Sequence, residues 1–230
     1  MQMANADRFI SIFNEVEHHL RTFLNTRPGN PFYSLVDDAS KLSPVVKTYS
    51  RDLKNMANLR NAILHHRDYP KIVIADPREE TVIEFDRIKN EIKNPQTIMS
   101  IAAKSPDVFS PDTALSDALK SMRTKDFSQI LVREADGKHS LLTREGVAMW
   151  VEANIADDIV SISETTIKEV LPLEDCSRWE FASREATIYD AQESFSNPKQ
   201  RIQAIIISHN GRATEKPLGI VTIWDFRHAM

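Results

Sequence analysis

Glycine and cysteine are scarce in this 230-residue chain, which has five glycines and one cysteine, Cys176. No two glycines have the spacing of a dinucleotide-binding fingerprint or of a phosphate-binding loop, so both of those enzyme classes are excluded. A single cysteine cannot form a disulfide within the chain, and we therefore expect a reducing compartment.

Long apolar runs and a strong net charge are lacking as well. No run approaches the ~20 residues of a membrane-spanning helix, and the first residues, MQMANADRF, lack the basic-then-apolar order of a signal peptide. A net charge of −4 gives no overall field that would attract nucleic acid or an anionic membrane, so such a partner would need a local patch. We expect a soluble, cytoplasmic protein with one large or two small domains and no membrane partner.

Apolar residues recur at steps of three and four through residues 1–94, which is the periodicity of amphipathic helices. The string NTRPGNP interrupts the pattern, and a proline near the start of a segment is typical of a first helical turn. The expected helices cover 7–25, 32–42, 44–69 and 82–92. Four such helices indicate a small bundle, and the boundary to the next domain is expected at Asn94 and Pro95.

Near the end of the third expected helix, Arg60, Asn61 and His65 form the spacing R-N-x-x-x-H. Metal-free RNA cleavage needs a base with a pKa near neutrality and a fixed cation for the phosphate charge, which His and Arg supply. The motif resembles that of the HEPN superfamily over residues 5–93, and the resemblance implies a dimeric helical domain that cleaves single-stranded RNA. Asn61 and His65 share a helix face, whereas Arg60 does not, so two chains would have to combine their residues.

A structural interpretation of the same residues stays open. Arg60 would then pair with a carboxylate of the bundle, and His65 would lie at a helix C-terminus, where a cation is favourable. The paired histidines at 18–19 and 65–66 do not indicate a metal site, because neighbours on a helix point to different faces and no other ligand has a suitable spacing.

Residues 95–230 contain an internal repeat. TIMSIA, from Thr97, aligns with TIKEVL, from Thr166, and SPDTALSDALKSM, from Ser110, aligns with SREATIYDAQESF, from Ser183. Further on, QILVREADGKHSLLT aligns with AIIISHNGRATEKPLGIVT. The copies cover 95–157 and 158–230. Each predicts a β-α-β-β-α order with a tight hairpin at Asp-Gly or Asn-Gly.

This order, closed by LGIVTIWDF in the second copy, resembles the CBS domain. The motif G-h-h-T-x-x-D-h, with h an apolar residue, is complete from Gly219 to Phe226, whereas the first copy has Thr143 but Gly146 in place of the aspartate. The resemblance covers residues 95–230 and implies a CBS pair, or Bateman module, that binds AMP, ADP, ATP or S-adenosylmethionine and forms a homodimer. The predicted fold class is α+β, with an N-terminal helical bundle followed by a tandem pair of CBS repeats.

The end of each returning strand is the candidate ligand site. Thr222 precedes a helix N-terminus, where free amides and the helix dipole favour a phosphate, and Asp225 can accept two hydrogen bonds from a ribose diol. The adenine is expected against the backbone near Ala182 and Ile205, and Thr143 is the matching residue of the first copy. A helix cap that needs no ligand is the alternative, because Thr-x-x-Asp resembles a capping box.

The two copies are not expected to bind equally, since Gly146 offers no acceptor where the second copy has Asp225. A hydrogen bond to a charged group contributes ~1.5–3 kcal/mol, and each ~1.4 kcal/mol is tenfold in affinity. Glu145 is adjacent, but one helical residue turns a side chain by about 100°, so it is not expected to substitute. We expect one ligand per chain.

Two functions are compatible with these residues. In the first, the CBS pair senses an adenine nucleotide and controls a metal-independent endoribonuclease with Arg60, Asn61 and His65 as catalytic residues. In the second, the protein is a non-catalytic nucleotide sensor, and its helical domain serves dimerisation or partner binding. No metal is expected in either case.

Overall fold

A computed structural model of the chain describes residues 4–27, 29–64, 76–155 and 161–228. The chain divides into two compact units, one of Met1–Gln96 with Thr187–Asp190 and one of Thr97–Ala186 with Ala191–Met230. All the described strands lie in the second unit, and the predicted α+β class is confirmed. None of the helices in the described ranges combines the length and the apolar character that crossing a membrane requires.

The helices of the first unit follow the apolar periodicity of the sequence. They are α1 (Asn5–Phe23), α2 (Phe32–Ser40), α3 (Pro44–Thr48), α4 (Ser50–Leu64) and α5 (Glu79–Lys93). One side of each helix is buried in a common apolar core, in which Phe9 and Leu20 of α1 and Phe85 of α5 are fully covered. The expected stripe at 82–92 on α5 is buried at all four of its apolar positions.

The prediction of one continuous third helix is wrong. The structure has two helices there, α3 and α4, which are separated at Tyr49. The Tyr49 backbone, at φ −94° and ψ 10°, leaves the helical region. Its ring packs edge-on against Tyr189, and the two hydroxyl oxygens are 3.1 Å apart. The Tyr189 hydroxyl also donates to Oε2 of Glu91 at 3.0 Å. These contacts explain why the short Thr187–Asp190 stretch belongs with the helices.

Residues 97–228 present one order of elements twice. The first repeat contains β1 (Ala103–Lys104), β2 (Val108–Phe109), α6 (Leu115–Lys125), β3 (Gln129–Arg133), β4 (His139–Thr143) and α7 (Arg144–Asn154). The second contains α8 (Ile167–Val170), β5 (Trp179–Ser183), α9 (Ile188–Ser196), β6 (Ala204–Ser208), β7 (Gly219–Thr222) and a 3₁₀ helix, Ile223–His228. The expected β-α-β-β order is present in both copies.

The two sheets exchange one strand. β2 pairs parallel with β3, which pairs antiparallel with β4, and β5, β6 and β7 are arranged in the same way. β1, which belongs to the first repeat, pairs antiparallel with β7 of the second, with Ala103 opposite Ile220. Ala103 and Lys104 of the first repeat therefore lie beside the first two residues of β7, and Ser105 lies beside Leu218, just before that strand begins.

Two expectations for the second repeat differ from the structure. Residues 209–218 separate β6 from β7, and Asn210 donates from N and Nδ2 to Glu215 at 2.6 and 2.7 Å. The tight hairpin expected at Asn210 is therefore wrong, because the residues after it form a loop of their own. The helix after Thr222 is a 3₁₀ helix of six residues rather than an α-helix.

Candidate functional site

Each returning strand ends on a threonine that is followed at once by a helix. Thr143 ends β4 before α7, and Thr222 ends β7 before the 3₁₀ helix. At both junctions a carboxylate accepts hydrogen bonds from the backbone N–H and from the hydroxyl of the threonine. The two junctions share this local chemistry, but the carboxylate comes from a different part of the chain in each.

At the second junction the carboxylate belongs to Asp225. Its Oδ2 accepts from the backbone N of Thr222 at 2.6 Å and from Thr222 Oγ1 at 2.9 Å. The same pair of bonds, both 2.7 Å long, joins Thr187 to Asp190 at the start of α9. Such bonds cap a helix without any ligand. What distinguishes Asp225 from Asp190 is therefore the space around it.

At the first junction the carboxylate is that of Glu174, which lies far along the chain from Thr143. The backbone N of Thr143 donates to Glu174 Oε1 at 2.6 Å, and Thr143 Oγ1 donates to Oε2 at 2.9 Å. The backbone N of Gly146 in turn donates to Thr143 Oγ1 at 2.9 Å. A Cβ at position 146 would collide with the Glu174 carboxylate, so the glycine leaves the room that Glu174 occupies.

Partial burial makes Glu174 harder to ionise than an exposed glutamate. Removal of the carboxyl group from water raises its pKa above the ordinary value of 4.5, and the nearby charge of Glu145 acts in the same direction. The hydrogen bonds from Thr143 and the charge of Arg178 lower the pKa, but they offset only part of the effect of burial.

The second junction borders a large open cleft, which we call the Asp225 cleft. Its volume is about 600 Å³, which is within the range of small-molecule sites. The cleft forms where β1 meets β7 and where β3 begins, so both repeats contribute to it. Its lining consists of 103–107, Ser121, 125–131, Ile220, Thr222, Trp224 and Asp225.

Two lysines lie on the lining of the Asp225 cleft, together with the carboxylates of Asp107, Asp126 and Asp225. Lys104 is exposed, and within the described ranges no carboxylate forms an ion pair with it. Lys125, at the end of α6, pairs with Asp107 on the same lining. Phe127 and Trp224 add aromatic surface that is 42 % and 61 % exposed. The cleft thus combines three carboxylates with two lysines and aromatic rings.

The corresponding space at the first junction is divided in two by Glu174. One cavity, of about 240 Å³, is lined by Thr143, Gly146 and Arg178, among others. A second cavity, of about 250 Å³, is lined by Ser140 and Cys176, among others. Glu174 and Trp179 line both, and we call this pair of cavities the Glu174 cleft. Neither half approaches the volume of the Asp225 cleft.

The structure places the residues expected to hold an adenine away from the Asp225 cleft. Ala182 lies in β5 opposite Ile207, Ile205 lies in β6 and is 1 % exposed, and neither lines the cleft. Ile130, which aligns with Ile205 in the repeat, does line it. The expected site consisted of residues of the second repeat alone. The Asp225 cleft instead combines residues of the second repeat with residues from β1 and β3 of the first.

The candidate catalytic residues of the helical unit are described only in part. Arg60 and Asn61 lie near the end of α4, where Arg60 Nη1 donates to Asn61 Oδ1 at 3.3 Å, while His65 lies outside the described residues. The Arg60 guanidinium carbon lies 5.6 Å from the centre of the Phe13 ring. Among the residues that the structure describes, no carboxylate pairs with Arg60, and its buried Nε has no hydrogen-bond partner. Catalysis by these residues stays a prediction.

No family model matches this sequence, and no curated protein matches it. Solved structures do match in part. A protein described as an acetoin utilization protein (AcuB) from Vibrio cholerae is 15 % identical over 58 % of this chain and 88 % of its own, with a TM-score of 0.45. A CBS-domain containing protein from Agrobacterium tumefaciens is also 15 % identical, over 58 % of this chain and 92 % of its own, with a TM-score of 0.45.

A third matching structure is that of CBSX2 in complex with AMP. It is 14 % identical over 58 % of this chain and 95 % of its own, with a TM-score of 0.44. These are likenesses of fold between distant sequences. The function of this chain therefore has to be inferred from its own residues.

Proposed function

We propose that this protein is a regulatory protein whose paired CBS repeats bind one adenosine-type nucleotide per chain in the Asp225 cleft. The observation that carries the proposal is the difference between two otherwise similar junctions. One opens into a cleft of about 600 Å³, and the other is filled by Glu174. AMP, ADP, ATP and S-adenosylmethionine share the adenosine part, and the proposal covers this class of ligand.

The adenosine part of such a ligand has complementary groups in the cleft. Thr222 fixes the Asp225 carboxylate through two hydrogen bonds to Oδ2, so the position of this acceptor is set before a ligand arrives. The ribose diol donates to this carboxylate, which makes hydrogen bonds of the stronger, charge-assisted kind. The adenine packs against the apolar and aromatic part of the lining, where Phe127, Ile130 and Trp224 lie.

The phosphate is attracted by lysine rather than by the end of a helix. The element after Thr222 is a 3₁₀ helix of only six residues, and the backbone N of Thr222 already donates to Asp225. These two facts replace the phosphate position expected from the sequence. Lys104 supplies the charge, because Lys125 is shared with Asp107.

The test of this proposal is calorimetry on the full-length protein with AMP, ADP, ATP and S-adenosylmethionine in turn. We expect one of them to bind with a stoichiometry near one per chain. Asp225→Ala removes the ribose acceptor and should weaken binding at least ~10-fold, because a charge-assisted hydrogen bond contributes ~1.5–3 kcal/mol.

Asp190→Ala is the matched control for this experiment. Asp190 makes the same two hydrogen bonds to a threonine as Asp225, but it does not line the cleft. Its loss costs a helix cap, about 0.5–2 kcal/mol of stability, and should leave the affinity unchanged. Equal loss of affinity in both variants, or none in Asp225→Ala, would assign Asp225 to capping alone.

Regulation requires that the ligand bind two arrangements of the protein with different affinities. We propose that the chain forms a homodimer and that the ligand shifts this equilibrium or changes the activity of the helical unit. Sedimentation with and without a saturating ligand measures the first effect. Identical sedimentation and identical activity would remove the regulatory part of the proposal.

Metal-independent cleavage of single-stranded RNA is a second candidate function, and Arg60 favours it. This arginine has no carboxylate partner in the described part of the chain, as a residue reserved for a phosphate requires. Purified protein should then cut single-stranded RNA in EDTA, and His65→Ala should slow cleavage at least ~100-fold by removing the general base. Cleavage that survives His65→Ala comes from a contaminant. A protein with no cleavage at all would be a non-catalytic sensor.

A further inference from the structure

The Glu174 cleft has the parts of a ligand site, and a side chain of the protein itself occupies it. The carboxylate of Glu174 lies on the backbone N and hydroxyl of Thr143 and separates two cavities of about 240 and 250 Å³. We infer that Glu174 acts as an internal plug, which closes a second nucleotide site and holds each chain to one ligand. The inference rests on the function proposed above for the Asp225 cleft.

Comparison of the two repeats locates the plug. Ser105 follows Thr97 by eight residues, and Glu174 follows the matching Thr166 by eight residues. Ser105 lines the Asp225 cleft beside β7, where its backbone N donates to the carbonyl oxygen of Leu218 at 3.1 Å. A serine side chain is too short to reach the threonine of its junction and cross the cleft. The corresponding glutamate reaches Thr143 and divides the space.

Gly146 and Glu174 depend on each other. The second repeat has Asp225 at the third residue after its threonine, whereas the first has Gly146, and any Cβ there would collide with the Glu174 carboxylate. An aspartate at position 146 would therefore push the Glu174 carboxylate off Thr143, so the aspartate of the motif and the plug compete for the same space. Gly146 in the first repeat thus has two effects. It removes a ribose acceptor, and it leaves room for the carboxylate of Glu174.

A further observation favours a ligand site beside the plug. Ser140 is 7 % exposed and lines the cavity of about 250 Å³ that Cys176 also lines, and its buried Oγ has no hydrogen-bond partner in the described ranges. A buried hydroxyl without a partner is costly and rare in folded proteins.

The experiment compares the full-length protein with its Glu174→Ala variant by calorimetry, with AMP as the probe. The unchanged protein should bind one AMP per chain. Glu174→Ala should bind two, the second at least ~10-fold more weakly because position 146 offers no ribose acceptor. In the double variant Glu174→Ala/Asp225→Ala the new, weaker site should remain while the original one is weakened.

Two control variants separate the plug from its surroundings. Glu174→Gln keeps the size of the side chain and an acceptor for Thr143, so its stoichiometry should stay at one. Glu145→Gln removes a neighbouring carboxylate of the same cleft and should also leave one site. If thermal unfolding shows that Glu174→Ala does not fold, Glu174→Ser introduces the residue found at the matching position of the Asp225 cleft and serves the same test.

The outcomes distinguish this inference from the proposed function. One AMP per chain in both the unchanged protein and Glu174→Ala overturns the plug and leaves the Asp225 cleft in place. No binding to the unchanged protein, but binding to Glu174→Ala, overturns the proposed function and supports the plug. Failure of both proteins to bind AMP and, in the same experiment, ADP, ATP and S-adenosylmethionine overturns both.

Discussion

The two clefts of the repeat region differ in where their carboxylate comes from. In the Asp225 cleft the acceptor lies three residues after Thr222, on the junction itself, and the space beyond it stays open. In the Glu174 cleft the acceptor reaches Thr143 from a distant segment and crosses the space on its way. The same pair of hydrogen bonds therefore leaves one site open and fills the other.

The threonine and its two hydrogen bonds are therefore structural features of both junctions. Whether a ligand can enter depends on where the carboxylate side chain lies. Both threonines bond to a carboxylate, as does Thr187 at the start of α9, and neither Thr187 nor Asp190 lines the Asp225 cleft or the Glu174 cleft. A capped threonine is thus a feature of how a helix begins. The space beside the threonine stays open where the carboxylate belongs to the junction itself, as with Asp225. It is occupied where the carboxylate comes from a distant segment, as with Glu174.

The largest effect on stability is expected from Gly146→Ala, which tests whether Glu174 occupies the space beside residue 146. The added methyl group pushes the Glu174 carboxylate off Thr143, and the loss of a hydrogen bond to a charged group costs ~1.5–3 kcal/mol of unfolding free energy. Alanine in place of a helical glycine offsets about 0.5–1 kcal/mol of this cost. If Glu174 is the cause, the cost should shrink in a Glu174→Ala background. Urea unfolding of the two single variants and the double variant measures this coupling. An equal cost in both backgrounds would mean that position 146 is constrained by something else.

A smaller effect is expected from Lys104→Ala, which tests whether Lys104 binds the phosphate of a ligand in the Asp225 cleft. The variant should bind AMP about tenfold more weakly, because loss of one charge-assisted hydrogen bond costs ~1.4 kcal/mol or more. Adenosine, which has no phosphate, should bind both proteins alike. Competition measurements with AMP and adenosine give the ratio directly. Equal weakening for both ligands would place Lys104 against the adenosine part.

The smallest effect is a pH dependence that belongs to Glu174. Its pKa is raised on folding, mainly by burial, so it stabilises the fold below its ordinary pKa of 4.5 and this contribution is lost as the pH rises through the raised value. The unfolding free energy of the unchanged protein minus that of Glu174→Gln should therefore fall as the pH rises above about 4. A difference that grows with pH would mean that the charge of Arg178 outweighs burial.

Most of the fold could be predicted because periodicity and repetition are local properties of the sequence. The helices of the first unit and the β-α-β-β order of each copy follow from where apolar residues recur. The break at Tyr49 and the long loop after Asn210 could not be predicted in this way. They depend on contacts with Tyr189 and Glu215, and nothing in the neighbouring sequence signals those partners.

The site could be predicted only as far as its motif extends. Thr222 and Asp225 are three residues apart, and the structure brings both to the Asp225 cleft. Lys104 and Ile130, which belong to β1 and β3 of the first repeat, line the same cleft, whereas Ala182 and Ile205 do not. Contact of adenine with Ala182 and Ile205 stays a prediction. Gly146 could have indicated the special character of the first junction, because a glycine there leaves Thr143 without a carboxylate nearby in the sequence.

The central claim is that each chain carries one open adenosine site and one that is closed by its own glutamate. A crystal structure determined after soaking with AMP, ATP and S-adenosylmethionine in turn tests this claim most directly. The account predicts ligand density beside Asp225, with Glu174 still bonded to Thr143. Ligand density against Thr143 with Glu174 displaced, or equal density in both clefts, would contradict it.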